Sequence, residues 1–373
     1  MRYEVISADM HFNEPGDVFL PRVPARFRDR APRIVPTPDG GEGWLWEGQV
    51  PKHGFGLGSA VWARGKVRSP EEYIQSGLKL SECAAGSWDP RAAVVDMKKD
   101  GVDAGVFYPS VGNQLYSIQD REFRLALFRA FNDWQIEWCS YDRDRLLGLA
   151  MLPTTEDTPE EAVSELKRAV KLGFKGVLVP IFPKRRYHDP WYDPIWAAAQ
   201  DADICVNTHR GVGGAQVFGG AGDGPWFSQQ IQRDFAYSMP IGDILFGQVF
   251  DRFPRLRFVS GEGRIGWLIH FVQRADESYR RHRHWIGFSL KRLPSEYVRE
   301  NVYSTFIEDR MGVLARGYIG VDNQMWSSDY PHSDSTWPHS LQRIEEQFQG
   351  VPEGEKRKMV ALNAARLYKL PAE

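Results

Sequence analysis

Four short stretches of the chain hold side chains that could do chemistry together. Asp9-Met10-His11-Phe12-Asn13-Glu14-Pro15 sets an aspartate and a histidine two residues apart, and side chains two apart in an extended strand share one face. Glu14, one turn further on, can curl back toward the same point. Asn207-Thr208-His209-Arg210 offers a second imidazole. Ser260-Gly261-Glu262-Gly263-Arg264-Ile265-Gly266-Trp267 offers a carboxylate between glycines. Ser327-Ser328-Asp329-Tyr330-Pro331-His332-Ser333-Asp334 adds another carboxylate and a third imidazole. Imidazole and carboxylate together suit first-row divalent metals such as zinc, manganese or iron.

The candidate ligands are Asp9, His11, Glu14, His209, Glu262, Asp329 and His332, more than one tetrahedral zinc would use. Each alone has a plainer reading. Asp9 or Glu14 could cap a turn, Glu262 could pair with Arg264 or Arg210, and His332 could orient Asp329. Their joint placement, each just past a short apolar run, favours a metal centre. Glu262 and Asp329 are the candidate catalytic groups. Arg210 and Arg264 are placed to orient a substrate carboxylate. Trp226 and Phe227, with Phe55, Trp62 and Tyr73, are candidates to line a dry pocket.

The elements that must position these residues alternate between strand and helix. Apolar runs over Val5–Ala8, Ala104–Tyr108, Leu146–Met151, Gly176–Pro180, Ile204–Asn207, Arg257–Ser260, Val302–Phe306 and Gln324–Ser328 read as strands. Between them the spacing predicts helices, among them Arg121–Cys139, with an apolar stripe, and Pro159–Leu172, with Thr158 as its N-cap and Gly173 at its end. Such alternation implies an α/β fold with a parallel sheet. No GxGxxG follows the first strand, and the polar motifs follow strands 1, 5, 6 and 8, which only a closed ring brings together. The expected fold is therefore a single-domain (β/α)8 TIM-like barrel over 1–373 with a long insertion after strand 1. Residues 20–88 and 211–232 break the rhythm and are expected as insertions forming a lid over the active face.

Composition bounds the rest. The chain has 373 residues, 42% hydrophobic and 26% charged, the balance of a globular protein. A formal net charge of −2 gives no global pull toward nucleic acid or an anionic membrane. The basic run Arg280-Arg281-His282-Arg283-His284 reads as the solvated end of a helix. Cys83, Cys139 and Cys205 stand apart, without a CxxC, as expected of packing residues in a reducing compartment. With no apolar stretch of membrane-spanning length and no signal-like N-terminus, a cytoplasmic protein is expected.

The D-x-H-x-x-E-P stretch, the histidine after strand 5, S-G-E-G-R-I-G-W and S-S-D-Y-P-H-S-D-S-T-W-P together resemble the amidohydrolase-2 family, which also holds the aminocarboxymuconate-semialdehyde-type decarboxylases. The resemblance implies a TIM-like barrel with Asp9, His11, His209 and Asp329 as direct metal ligands. Three departures stand out. Hydrolytic members carry H-x-H on strand 1 where this chain has Asp9-x-His11. They carry a bridging Lys or Glu on strand 4, where Val177–Pro180 offers none unless Lys175 is repositioned. The decarboxylases carry a catalytic histidine after strand 6, where Glu262 stands.

The extra carboxylates Glu14 and Glu262, with His332, resemble the TIM-barrel nonheme diiron monooxygenases of platensimycin and platencin biosynthesis. That resemblance implies two Fe ions, O2 as co-substrate and a separate reductase or ferredoxin. It further implies hydroxylation of a C–H bond of an apolar organic acid or its coenzyme A thioester. The alternative is a Zn- or Mn-dependent hydrolase or decarboxylase, with Asp329 as base. A third reading, a barrel that only binds a ligand, sits poorly with so full a ligand set. A small-molecule substrate is expected in every case, neither nucleic acid nor membrane is expected as a partner, and a homodimer is left open.

Overall fold

The computed structural model describes residues 3–210 and 225–371. Eight parallel strands form one sheet in chain order: β1 (Ile6–His11), β2 (Ala104–Tyr108), β3 (Leu146–Met151), β4 (Gly176–Pro180), β5 (Cys205–His209), β6 (Phe258–Gly261), β7 (Val302–Phe306) and β8 (Gln324–Trp326). The ring closes just past β8, where Asp329 N–H donates to the Asp9 carbonyl at 3.0 Å and His11 N–H to the Tyr330 carbonyl at 2.8 Å. This is the (β/α)8 barrel that the strand–helix rhythm implies. Among the described residues no helix is long and apolar enough to cross a membrane.

The helices start and stop where local chemistry says they should. In α1 (Pro90–Asp100), Asp89 accepts from the N–H groups of Arg91 and Ala92, Pro90 opens the first turn and Gly101 ends it at φ 74°. In α2 (Arg121–Cys139), Asp120 caps Phe123 N–H. The predicted cap of the next helix is displaced: α3 (Glu160–Leu172) starts after Pro159, with no side-chain cap bond. The buried face of α2 carries Trp134 and Trp138, whose rings sit 5.0 and 4.9 Å from Phe12. Burying such rings contributes about 2–3 kcal/mol each and pins the end of β1, where His11 sits, against the barrel wall.

Three strands run further toward the active face than their apolar runs suggest. β1 includes Asp9 and His11, β5 includes His209 and β6 includes Gly261. β8, in contrast, stops at Trp326, because Ser328 N–H bonds to the Ser7 hydroxyl (2.9 Å). A one-residue bulge interrupts the β1–β2 register between Ser7 and Met10, re-aiming Asp9 and His11.

The segment 20–88 contains short 3-10 turns and two small antiparallel ribbons, Arg33–Pro36 with Glu42–Leu45 and Trp62–Ala63 with Lys66–Val67. Phe19 packs edge-on against Trp44 and against Trp46, 5.6 Å from each, and lies 6.3 Å from Phe131 of α2. Asn13 Nδ2 donates to the Gly58 carbonyl (2.9 Å) and Tyr73 OH to the Ser333 carbonyl (3.3 Å), so the segment touches the ends of both β1 and the loop after β8. Of the second expected insertion, residues 211–224 lie outside the described residues. The remainder opens α5 (Trp226–Phe235), which follows α4 (Asp193–Asp201) in the chain.

The loop after β8 is clasped to α1. Tyr330 OH donates to Asp96, Trp337 Nε1 to the Asp96 carbonyl (3.1 Å), and Ser340 N–H to Asp100 (2.9 Å). Burial pushes the Asp100 carboxyl up to about 6, although the Ser340 bonds pull it down. A carboxyl whose folded value is raised loses stability as pH rises from its unfolded value through its folded one. Native protein is therefore expected to lose up to about 3 kcal/mol between pH 4 and 7 at this group. Asp100→Asn should lack that loss, and urea titrations across the window check it. Parallel curves for the two proteins would contradict the assignment.

Candidate metal centre

The ends of β1, β5, β6 and β8 converge on one buried polar cluster. His11 Nε2 lies 3.4 Å from Asp9 Oδ1 and 3.2 Å from Asp329 Oδ1. His209 Nε2 lies 3.2 Å from Asp9 Oδ2 and 3.4 Å from Glu262 Oε2. The His332 ring stacks on that of His11 at 3.8 Å, with its Nδ1 3.1 Å from Asp329 Oδ1. Three groups have the spacing to hold a cation: Asp9, His11 and His209; His11, Asp329 and His332; and Glu262, Asp329 and Asp334.

Asp9 Oδ1, both ring nitrogens of His11 and Asp329 Oδ2 are buried without a hydrogen-bond partner. Leaving such groups unsatisfied costs about 1–3 kcal/mol apiece, so four of them at one point mark a place built for a ligand. The electrostatics agree. Burial opposes charge on His11, yet Asp329 and Asp9 push it up to about 9. Burial likewise raises Asp9 and Asp329, but the imidazoles beside them win and hold both below the ordinary carboxylate range. The pocket selects for positive charge, and its imidazole–carboxylate donor set fits a first-row divalent metal.

Local structure aims these groups. His209 Nδ1 lies 2.8 Å from the Arg210 carbonyl, so that with Nδ1–H donating there the Nε2 lone pair faces the cluster. Glu262 and Asp329 both have left-handed backbones, φ 59° and 53°, a conformation uncommon for residues other than glycine and concentrated at functional sites. Gly261 is obligatory on packing grounds, because a Cβ there would sit 2.8 Å from the Thr208 carbonyl and 2.9 Å from Tyr108 OH.

Several sequence expectations are corrected. Glu14 does not join the cluster. Its carboxylate accepts from the N–H groups of Ser110, Val111 and Gly112 at 3.0–3.2 Å and so ties down the loop after β2. Burial pushes it up to about 7 against the pull of those N–H groups. Trp226 and Phe227 are 59% and 76% exposed on the first turn of α5. Phe55, Trp62 and Tyr73 are half-buried, packed onto the core. Glu262 has both of its anticipated faces: it reaches His209 and is also ion-paired to Arg210. Arg210 further approaches Asp234 and Asp334 (3.7 Å each), and Arg264 approaches Asp234 (3.2 Å). Lys175 precedes β4, at the barrel end away from the centre.

Residues missed in the sequence form a floor below the cluster. The Tyr108 ring lies 4.6 Å from that of His209, and its OH meets Asn207 Oδ1 at 3.2 Å. Tyr368, near the far end of the chain, donates to the same oxygen at 2.8 Å. The only sequence signals were strand-end positions: Tyr108 closes β2, and Asn207 lies two residues before His209 on one face of β5.

Comparison with known proteins bears on both fold and chemistry. A family model described as an amidohydrolase matches residues 9–370. The decarboxylase orsB of Emericella nidulans is 26% identical over 218 residues, 51% of this chain and 60% of that relative's length. An amidohydrolase from Mycobacterium avium subsp. paratuberculosis K-10 shares the fold at TM-score 0.77 and 22% identity, over 99% of this chain and 100% of that one. A 5-carboxyvanillate decarboxylase from Novosphingobium aromaticivorans, solved with bound manganese, superposes at TM-score 0.70 and 17% identity over 99% and 97% of the two chains. These findings overturn the diiron monooxygenase reading. The orsB relative and the manganese-bound structure are decarboxylases, which are lyases rather than oxidoreductases. Two irons and O2 have no support among them. By the family model over nearly its whole length, the barrel and the strand-end ligand set, the chain belongs to the amidohydrolase-2 family.

Proposed function

We propose that the protein is a metal-dependent decarboxylase, with zinc or manganese held by Asp9, His11, His209 and Asp329. The observation that carries this reading is the set of orphaned polar atoms on Asp9, His11 and Asp329 at one buried point. A divalent cation bound there supplies a Lewis acid for a substrate oxygen. The kinship to decarboxylases supports the reaction class, in which a C–C bond breaks, the electron pair stays on carbon and a proton replaces CO2. No net electrons move, so the reaction calls for no reductase.

The chain's own residues have distinct tasks. Asp329 and His332 share a hydrogen-bond-length contact at the mouth, the place from which a proton can pass to the carbon that loses CO2. Arg210 and Arg264 orient the acid through its carboxylate. Glu262, paired with Arg210, fixes that guanidinium. Segment 20–88 and α5 serve as covers that exclude water from the mouth.

Turnover in D2O tests the reading. The product is expected to carry one deuterium at the carbon that held the carboxylate, read by mass spectrometry. An acid returned with its carboxylate intact and another bond hydrolysed would replace decarboxylation with hydrolysis.

A further inference from the structure

Four rings stand in a column from the barrel interior to its mouth. The Tyr108 ring lies 4.6 Å from that of His209, His209 lies 4.8 Å from His11, and His11 lies 3.8 Å from His332. The upper three are the imidazoles of the metal cluster. Tyr108 is the base of the column, so whatever fixes Tyr108 bears on where His209 can sit.

Two strands give up side chains to admit that base. A Cβ at Gly261 of β6 would lie 2.9 Å from Tyr108 OH, and one at Gly176 of β4 would lie 2.7 Å from Asn207 Nδ2. Asn207 Nδ2 donates to the Val177 carbonyl at 3.1 Å, which leaves Oδ1 to accept from both Tyr108 OH (3.2 Å) and Tyr368 OH (2.8 Å). Tyr108, Asn207 and Tyr368 are fully buried. Polar groups at that depth are costly without partners, so these three hold one another in a single arrangement.

Tyr368 enters from the other end of the barrel. It follows the helix Asn363–Leu367, whose Asn363 Nδ2 donates at 2.8 Å to the carbonyl of Gln324, the first residue of β8. The next residue, Lys369, pairs at 2.8 Å with Asp203, just ahead of β5. The backbone on either side of Tyr368 is thus tied to the starts of two strands, while its hydroxyl reaches the amide two residues before His209.

We propose that Tyr368 is a positioning residue for the metal centre: acting through Asn207 and Tyr108, it fixes the His209 imidazole and so sets metal affinity from the opposite end of the barrel. The inference rests on His209 being a ligand of the proposed centre. A ligating imidazole binds well only when its ring is held with the lone pair on the ion, so groups that orient the ring weigh on affinity.

Manganese titration followed by electron paramagnetic resonance, which reads free and bound ion separately, tests this. Tyr368→Phe keeps the ring and removes the hydroxyl. It is expected to weaken manganese binding about 10-fold or more, as loss of a partner that orients a ligand does, and to change the zero-field splitting of the bound ion. Tyr108→Phe should act in the same direction, and the double variant should fall short of the product of the two effects, because both work through one amide. Tyr279→Phe removes a buried hydroxyl that donates to the Leu290 carbonyl, on the helix Gly266–Ile286, and should leave affinity and spectrum unchanged. Manganese affinity within about twofold of the original in a folded Tyr368→Phe variant would overturn the inference and leave the metal centre standing. The expected weakening, in a protein that releases no CO2 from any acid, would instead remove the decarboxylase reading and leave Tyr368 in its role.

Discussion

His11→Ala is expected to empty the barrel of metal while leaving it folded. Among the described residues His11 is the one side chain ion-paired to both Asp9 and Asp329, and its ring nitrogens have no hydrogen-bond partner beyond them. Even partners that only orient a ligand cost about 10–100-fold in metal affinity when removed, so losing a direct ligand should exceed about 100-fold. The fold should survive, because the end of β1 is held by backbone bonds from His11 N–H to Tyr330 and from Asp329 N–H to Asp9. Metal quantification after dialysis, beside far-UV circular dichroism, reads both halves. Undiminished metal in a folded variant would remove His11, and with it the shared point of two ligand groups.

Asp329→Asn is expected to lower turnover per bound metal by about 10²–10⁴-fold, the usual weight of positioned proton transfer. The substitution keeps the side chain's shape and removes its charge. Asp329 is 1% exposed, in a left-handed backbone conformation, with one oxygen toward His11 and His332 and the other unpartnered. Part of the metal will be lost as well, so the comparison has to be made per metal ion. Full turnover per metal would leave Asp329 as a ligand alone and send the proton through another group.

Much of this centre could be read from the sequence because a barrel turns strand ends into neighbours. The apolar runs located all eight strands, and residues just past them became the rim. The ends of the strands were less legible. Hydrophobic patterning stops at the first polar side chain, whereas the backbone ladder continues through His11 and His209. Glu14 had the right spacing for a ligand, but nothing in Ser110-Val111-Gly112 announces three N–H groups turned toward it. Tyr108, Asn207 and Tyr368 meet across 99 and 161 residues of separation, contacts that no local pattern encodes. The chemistry was misjudged in going from the number of carboxylates to two irons, while Glu262 itself keeps both readings, grouped with Asp329 and Asp334 and ion-paired to Arg210.

CO2 release under argon tests the central claim most directly. Protein loaded with manganese or zinc is offered aromatic and conjugated organic acids, mono- and dicarboxylic, and the headspace gas is measured against chelator-treated protein. The account predicts CO2 from at least one acid, at the same rate with and without O2, and loss of that release on chelation with recovery when metal is restored. Release that needs O2 and a reductant, or that continues undiminished after the metal is removed, would contradict it.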